Sequence, residues 1–347
     1  MKLGLGAAAF GAKLKIDIDH IRHAESLGYD SCWTAEAYGN DAVTTATWVA
    51  AHTTKMKVGT SIMQMPARSP AMTAMTAMSL DALSGGRFIL GLGPSGPQVA
   101  EGWHGVPYGK PLTRTKEYIG IIRKILAREA PLEHHGEHYD IPVTGPGTTG
   151  LGKPLKSILH GNPAMKIYTA SISPAGLRCA GEVADGVFPM MMNPESYDTI
   201  IGPFVEEGFA KAGDGKSLAD FDVCPSVTVI VSDDVEQARM PVKMGLALYI
   251  GGMGARGKNF YNDYAKRLGY EEAAVKIQDL YLDGKKGEAV AAVPDELVDD
   301  VHLVGPAARI RERLAAWKEA GKTRHVDTMI VGTNQREALE LVAEELL

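Results

Sequence analysis

The chain has 347 residues, 45% of them hydrophobic and 22% charged, with a formal net charge of −6. That balance is ordinary for a globular protein and argues against a general nucleic-acid partner, which would want a basic face. Cys32, Cys179 and Cys224 are widely spaced without a Cys-x-x-Cys pair, which suits a reducing, cytoplasmic setting and offers no disulfide framework.

The apolar N-terminus superficially looks like a signal peptide. It lacks a basic leader, and Lys13, Lys15, Asp17 and Asp19 follow at once, so it reads as a first strand at about Lys2–Gly6. A helix follows, opened by Asp17 and Asp19, with Ile18, Ile21, Ala24 and Leu27 on one face and Gly28 as its stop. The second strand, Ser31–Ala35, ends at Glu36-Ala-Tyr38-Gly-Asn-Asp41, and Asp41 is placed to cap a helix striped by Val43, Ala46, Val49 and Ala50. The third strand is Met56–Ile62. Ser69-Pro70 then starts a Met- and Ala-rich helix that runs to Gly85-Gly86. The fourth strand is Phe88–Leu92.

A helix is expected from about Thr113 to Arg128. Residues 130–165 break the rhythm with a small hairpin (Glu133–Ile141) and a Pro-, Gly- and Thr-rich stretch, too long for a simple connection. Further strands read at Met165–Ala170, Gly186–Pro189, Val223–Val231 and His325–Val331. Helices are expected over Ser173–Gly181, Pro194–Ala212, from Ser232 onward, over Pro306–Gly321 and over Gln335–Leu347, with an irregular helical region at 251–303. Eight strands alternating with about eight helices, with no composition break, point to α/β architecture. The expected fold is one (β/α)8 TIM barrel over 1–347, with insertions at its C-terminal face at about 130–165 and 251–303. A doubly wound two-domain fold is the alternative. The longest apolar run, Met72 to Leu83, falls short of the roughly 18 residues a membrane span needs.

Gly91-Leu-Gly93-Pro-Ser-Gly96 matches the dinucleotide pattern G-x-G-x-x-G after a strand. In that motif a helix starts at the second glycine; here Pro94 and Pro97 interrupt, and turn formers continue to Pro111. A backbone-lined cofactor loop at a barrel mouth, or a plain turn, fits better. Gly252-Met-Gly-Ala-Arg-Gly-Lys258-Asn259 is one residue short of a P-loop and reads as a mouth loop offering Arg256 and Lys258 to an anion. His134, His135 and His138 fall on the hairpin in no metal-binding spacing, so no metal is expected. Glu36 lies just past a strand, where this fold places catalytic groups, and is either an acid/base or a structural carboxylate.

Taken together, the pattern resembles the bacterial luciferase-like flavin/deazaflavin superfamily, in its branch using the deazaflavin coenzyme F420. The resemblance rests on Cys32-Trp-Thr-Ala-Glu36, Val58-Gly-Thr-Ser-Ile62, Arg87-Phe-Ile-Leu-Gly-Leu-Gly93, His135-Gly-Glu-His-Tyr139 and Ala180-Gly-Glu-Val-Ala-Asp-Gly186, in that order and spacing. It implies a hydride-transfer enzyme acting on an unidentified small organic substrate. It also implies a non-prolyl cis peptide at Ser61–Ile62 backing the cofactor ring, with Gln64 close by. Gly93, Pro94, Ser95 and Gly96 would border the cofactor. Ala170, Ser171, Ile172 and Ser173, opening a helix, would hold its phosphate, which agrees with the affinity of helix N-termini for anions. Ala37 stands where the family's sugar-phosphate dehydrogenases carry histidine, and Gly96 where they carry an acid. These departures argue against that reaction and leave Glu36 as the nominated acid/base. Homodimers are common in the family. The alternatives are an FMN-dependent monooxygenase on the same scaffold and a non-catalytic deazaflavin-binding protein.

Overall fold

The computed structural model describes residues 1–7, 11–213 and 215–347. Strands β1 (Lys2–Gly6) and β2 (Ser31–Thr34) are joined through helix α1 (Ile18–Leu27). Asp17 caps α1 by accepting from the His20 N–H, and Gly28 ends it in the left-handed region at φ 97°, where a side chain would be strained. After β2 comes α2 (Ala42–His52), capped by Asp41 as expected. Strand three is two pieces, β3 (Lys57–Thr60) and β4 (Met63–Gln64), followed by a 3-10 turn at Met65–Ala67 and α3 (Pro70–Ser84). Ser69 accepts from Met72 N–H and Pro70 takes the first helical position, where its missing N–H costs nothing. Strand β5 is Phe88–Gly93.

A short helix, α4 (Pro97–Gly102), precedes α5 (Pro111–Ala127). The sequence predicts only turns there. Pro97 opens that helix behind Gly96, which is extended as its cap; it does not break one. The predicted hairpin is β6 (His134–His135) paired antiparallel with β7 (Asp140–Ile141). Next come β8 (Ile167–Ala170), α6 (Pro174–Val183), β9 (Gly186–Phe188), α7 (Tyr197–Ile200) and α8 (Gly202–Ala212). The single helix expected over 194–212 is broken, because Pro203 can only restart a helix, not continue one. Likewise the seventh strand splits at Cys224-Pro225 into β10 (Asp222–Val223) and β11 (Ser226–Val231).

Helix α9 (Val235–Ala247) runs into a π-helical turn at Leu248–Gly252. The second predicted insertion then contains α10 (Phe260–Arg267), α11 (Glu271–Leu282), α12 (Lys286–Ala291) and α13 (Asp295–Val301). It ends in an unexpected strand, β12 (Leu303–Gly305), which lengthens the sheet beside β11. Helix α14 (Ala307–Lys322), β13 (Thr328–Gly332) and α15 (Arg336–Leu346) complete the chain.

The main sheet is parallel and ordered β10-β9-β8-β5-β3-β2-β1-β13-β11-β12, with β4 also on β5. It curls. Asp222–Val223 pair with Gly186–Val187 at one end of that order, while Val223 O and Pro225 O accept from Asp327 N and Ile330 N at the other. Inside the curl, Trp33, Ile89, Tyr168, Phe188, Cys224 and Ile330 form a buried cluster on which Ile62 and Ala170 pack. Trp33 meets Tyr168 nearly parallel at 5.9 Å and Phe188 edge-on at 5.1 Å. Glycine makes the room: a Cβ on Gly59 would lie 2.3 Å from the Trp33 ring. The outward-facing strand residues join a second, larger cluster with the inner faces of the helices. Among the described residues no helix is long and apolar enough to cross a membrane.

Candidate active site

The break between β3 and β4 shapes the floor of the site. The Ser61–Ile62 peptide is cis, at the position the resemblance implies. Ser61 N–H donates to Thr34 O at 2.6 Å and Glu36 N–H to Ile62 O at 3.3 Å, so the bulge is tied to the end of β2. On its other side the Thr60 hydroxyl donates to Gly91 O at 2.7 Å and accepts from Gly91 N–H at 3.0 Å, replacing ladder bonds that the bulge interrupts. A Cβ on Gly93 would fall 2.7 Å from the Ile62 side chain, so this glycine lets Ile62 settle between β4 and β5.

Glu36 is the hub of the neighbouring polar network. One carboxylate oxygen accepts from Gln64 N–H (2.7 Å) and Arg68 Nη1 (2.6 Å), the other from Ala42 N–H (3.0 Å) and Arg68 Nη2 (3.1 Å). Those four donors match the roughly four lone-pair positions a carboxylate has. Arg68 also holds Asp41, the cap of α2. A single ion-paired carboxylate thus fixes the start of α2, the bulge and the turn at 65–69. Arg68 further lines a cavity of about 320 Å³ shared with Arg114, His138 and Tyr139.

Gln64 is buried, and its side chain is used twice: Nε2 donates to Glu36 O at 3.4 Å, and Oε1 lies 2.7 Å from His104 Nε2. His104 follows α4 directly, with its N–H on Val99 O. The loop Gly93–Gly96 leads from β5 into α4, and Ser95 is held at φ 61°, a left-handed conformation uncommon for a residue with a side chain.

β8 neighbours β5 in register Leu92↔Thr169, so the loop Ala170–Ser173 lies one strand away from Gly93. Ser173 caps α6 by accepting from Gly176 N–H at 3.1 Å. The Arg267 guanidinium reaches this loop from α10 and donates through Nη2 to Ile172 O. Its Nη1 is buried without a hydrogen-bond partner among the described residues, and burial presses its pKa below the ordinary arginine range. The guanidinium also lies over the Tyr264 and Phe204 rings, and a cation with a buried donor left unsatisfied, in contact with the loop that opens α6, suits an anion.

Above the site, Tyr249 and Tyr261 meet edge-to-face at 4.8 Å, and burial raises the pKa of both phenols and of Tyr108. Gln98 Nε2 touches Met253 O at 3.5 Å, joining α4 to the loop after the π-helical turn. Arg256, expected to be open to an anion, is engaged by Asp279 (2.7 Å) and Asp283 (3.0 Å). His134 and His135 bind Glu117 and Asp140. Among the described residues no group of three or more His, Cys, Asp or Glu side chains is arranged to hold a metal.

Of the predicted residues, Glu36, Ser61, Ile62, Gln64 and Gly93–Gly96 gather at the ends of β2, β4 and β5, and Ala170–Ser173 at the adjoining end of β8. Arg68, His104 and Arg267 were missed. Each makes a contact more than 30 residues away that no local spacing announces.

The model of the luciferase-like monooxygenase family matches residues 5–324. The chain belongs to that family. Within it, the chain is 42% identical over 344 residues to a provisionally named coenzyme F420-dependent oxidoreductase of Mycobacterium tuberculosis, covering 99% of both chains. It is 27% identical over 334 residues to the 5,10-methylenetetrahydromethanopterin reductase of Archaeoglobus fulgidus, covering 94% of this chain and 93% of the relative. Among solved structures, the coenzyme F420-dependent tetrahydromethanopterin reductase of Methanopyrus kandleri superposes with a TM-score of 0.78 at 25% identity. That match covers 100% of this chain and 99% of the other.

Proposed function

We propose that this chain is an F420-dependent oxidoreductase that moves a hydride between the deazaflavin and a small organic substrate. The observation that carries the reading is the 42% identity to an F420-dependent relative over 99% of both chains, a length that includes every strand end of the site. The fit of the cofactor rests on Arg267: its guanidinium donates to Ile172 O in the loop that opens α6 and keeps a buried Nη1 without a hydrogen-bond partner among the described residues, which suits the acidic part of such a molecule. Ser61, Ile62 and the loop Gly93–Gly96 are then the residues against the ring, with Ile62 resting on the Trp33–Tyr168–Phe188 cluster. When bound, the deazaflavin supplies the hydride chemistry, and the protein supplies position and electrostatics.

In this reading Glu36 is a positioning carboxylate. All of its acceptor positions are taken by Gln64, Ala42 and Arg68, which leaves none for a proton in transit. The curled sheet is read as a closed eight-stranded barrel in one domain. Support comes from the adjacency of β1 and β13 and from the stretch 222–231, which pairs with β9 at its start and β13 beyond it. Exposed Trp48 on α2 and Met72 and Met75 on α3 support a homodimer, and three buried free thiols fit a cytoplasmic protein.

The experiment is a fluorescence titration of the purified protein with coenzyme F420 and with FMN. Saturable F420 binding tighter than FMN binding is expected. FMN binding with no response to F420 would move the chain to the flavin-dependent monooxygenases, and bound F420 that no donor or acceptor changes would make it a carrier.

A further inference from the structure

We propose that His104 is the proton acceptor of this site and that Gln64 is the residue that positions it. The inference rests on the hydride-transfer reading and adds the group that handles the accompanying proton.

Gln64 can be oriented from its surroundings. Its backbone N–H is held by the Glu36 carboxylate at 2.7 Å, and its Nε2 can only donate to Glu36 O at 3.4 Å. Oε1 therefore faces His104, and the 2.7 Å contact requires the imidazole to donate through Nε2–H. A neutral ring with its proton on Nε2 carries a lone pair on Nδ1. Among the described residues Nδ1 has no protein partner, and it is not among the buried atoms left unsatisfied, so it is open to solvent or ligand. The arrangement is the one a general base needs: a ring held from behind by an acceptor that fixes its tautomer, with its free nitrogen presented outward.

The location agrees. Gln64 is paired in register with Gly93, at the start of the loop that leads into α4 and on to His104. Gln64 is 3% exposed whereas His104 is only half-buried, so a ligand entering between the loop and the bulge meets the imidazole and not the amide. The charged groups packed behind the pair are Glu36, Arg68 and Asp41, a single guanidinium ion-paired with two carboxylates.

The reaction class follows. A substrate carbon bearing a hydroxyl or amino group releases its hydrogen with the bonding pair, as hydride, to the oxidised deazaflavin. The O–H or N–H proton passes to Nδ1, leaving a C=O or C=N product and an imidazolium; the reverse direction returns both. The substrates assigned are alcohols or amines and the corresponding carbonyls or imines. Glu36, at the end of β2, has all its acceptor positions taken, whereas His104, after α4, has one ring nitrogen engaged.

The test uses full-length protein with histidine labelled in its ring nitrogens, and His104→Gln to assign the resonance. The free protein should show His104 as a single Nε2–H tautomer, and Gln64→Leu should convert it to a tautomer mixture. An Nδ1–H tautomer, or no change in Gln64→Leu, overturns the positioning. Adding oxidised F420 should shift the His104 resonances; fluorescence-confirmed binding that leaves them unmoved overturns the placement. Failure of F420 to bind would instead count against the cofactor reading, while the tautomer in the free protein still decides the Gln64–His104 pair. A panel of three- to eight-carbon secondary alcohols and amines is then offered with F420. With whichever member the wild type oxidises, His104→Gln should lower kcat by about 100-fold with F420 affinity unchanged, the ordinary size of a general-base contribution. Equal kcat overturns the role, and oxidation of no member overturns the substrate class.

Discussion

Replacing Glu36 by glutamine separates a carboxylate that builds the site from one that performs chemistry in it. The side chain is 6% exposed, its partner Arg68 is 18% exposed, and four donors converge on the two oxygens. Glutamine has nearly the same shape, but it turns an NH2 group toward two of those donors and leaves Arg68 with Asp41 as its only carboxylate. Breaking a buried ion pair from one side costs about 3–5 kcal/mol. Asp41 and the partial exposure of Arg68 reduce this to about 2–3 kcal/mol. At about 2.1 cal/mol/K of unfolding entropy per residue, 347 residues give about 0.7 kcal/mol/K, so Tm should fall by about 3–4 °C. Thermal unfolding of both proteins, paired with F420 titration, reads the outcome. F420 affinity should drop several-fold, because the single amide oxygen can accept from Gln64 N–H in the bulge or from Ala42 N–H at the start of α2, not from both. A variant with Tm within about 1 °C of wild type, unchanged F420 affinity and a hundred-fold loss of turnover would refute this reasoning and make Glu36 an acid/base.

Other outcomes follow from single contacts. Arg267→Met should weaken F420 binding by at least about tenfold in a fluorescence titration, the loss of a charge-assisted contact, and unchanged affinity would place the cofactor's acidic part elsewhere. Gly91→Ala should cost about 3 kcal/mol or more in urea unfolding, because its Cβ would sit 1.7 Å from Thr60 O, a backbone atom that cannot rotate away; a fully stable variant would deny that β3 and β5 approach so closely. Burial lowers the His302 pKa to about 4, and its Nδ1 accepts from Thr228 N–H at 3.0 Å. The unfolded chain therefore binds a proton between pH 6.5 and 4 that the folded one refuses. This contribution to stability is present above pH 6.5 and falls away toward pH 4, by up to about 3 kcal/mol. Urea midpoints across that window should decline less in His302→Gln than in wild type, and parallel curves would contradict the assignment.

Much of the fold was legible because its signals are local. Asp17, Asp41 and Ser69 cap the helices they were expected to cap, and the strands around Ser31, Phe88 and Ile167 stand where their apolar runs lie. The misses came from proline. Pro97 opens a helix that was read as turns, Pro203 restarts one that was read as continuous, and Pro225 interrupts the seventh strand. In each case the residue's meaning depends on which backbone N–H groups its neighbours need. β12 was hidden because three residues carry too little periodicity to stand out within a helical region.

The cis peptide at Ser61–Ile62 was legible by resemblance, and the helix start at Ser173 from its local signal. The side-chain wiring of the site was not. Arg68 meets Glu36 across 32 positions, His104 meets Gln64 across 40 and Arg267 meets Ile172 across 95. Such pairs are created by the packing of separate βα units, and no spacing within one unit encodes them. The sequence left Glu36 open between acid/base and structural carboxylate because its four donors come from three different segments.

The most direct measurement is a crystal structure of the protein with oxidised F420 bound. The ring should lie against Ser61 and Ile62, bordered by Gly93–Gly96 and within reach of His104, with the acidic part at Ser171–Ser173 and Arg267. A deazaflavin bound away from the bulge, or with its acidic part remote from Arg267, would contradict the account.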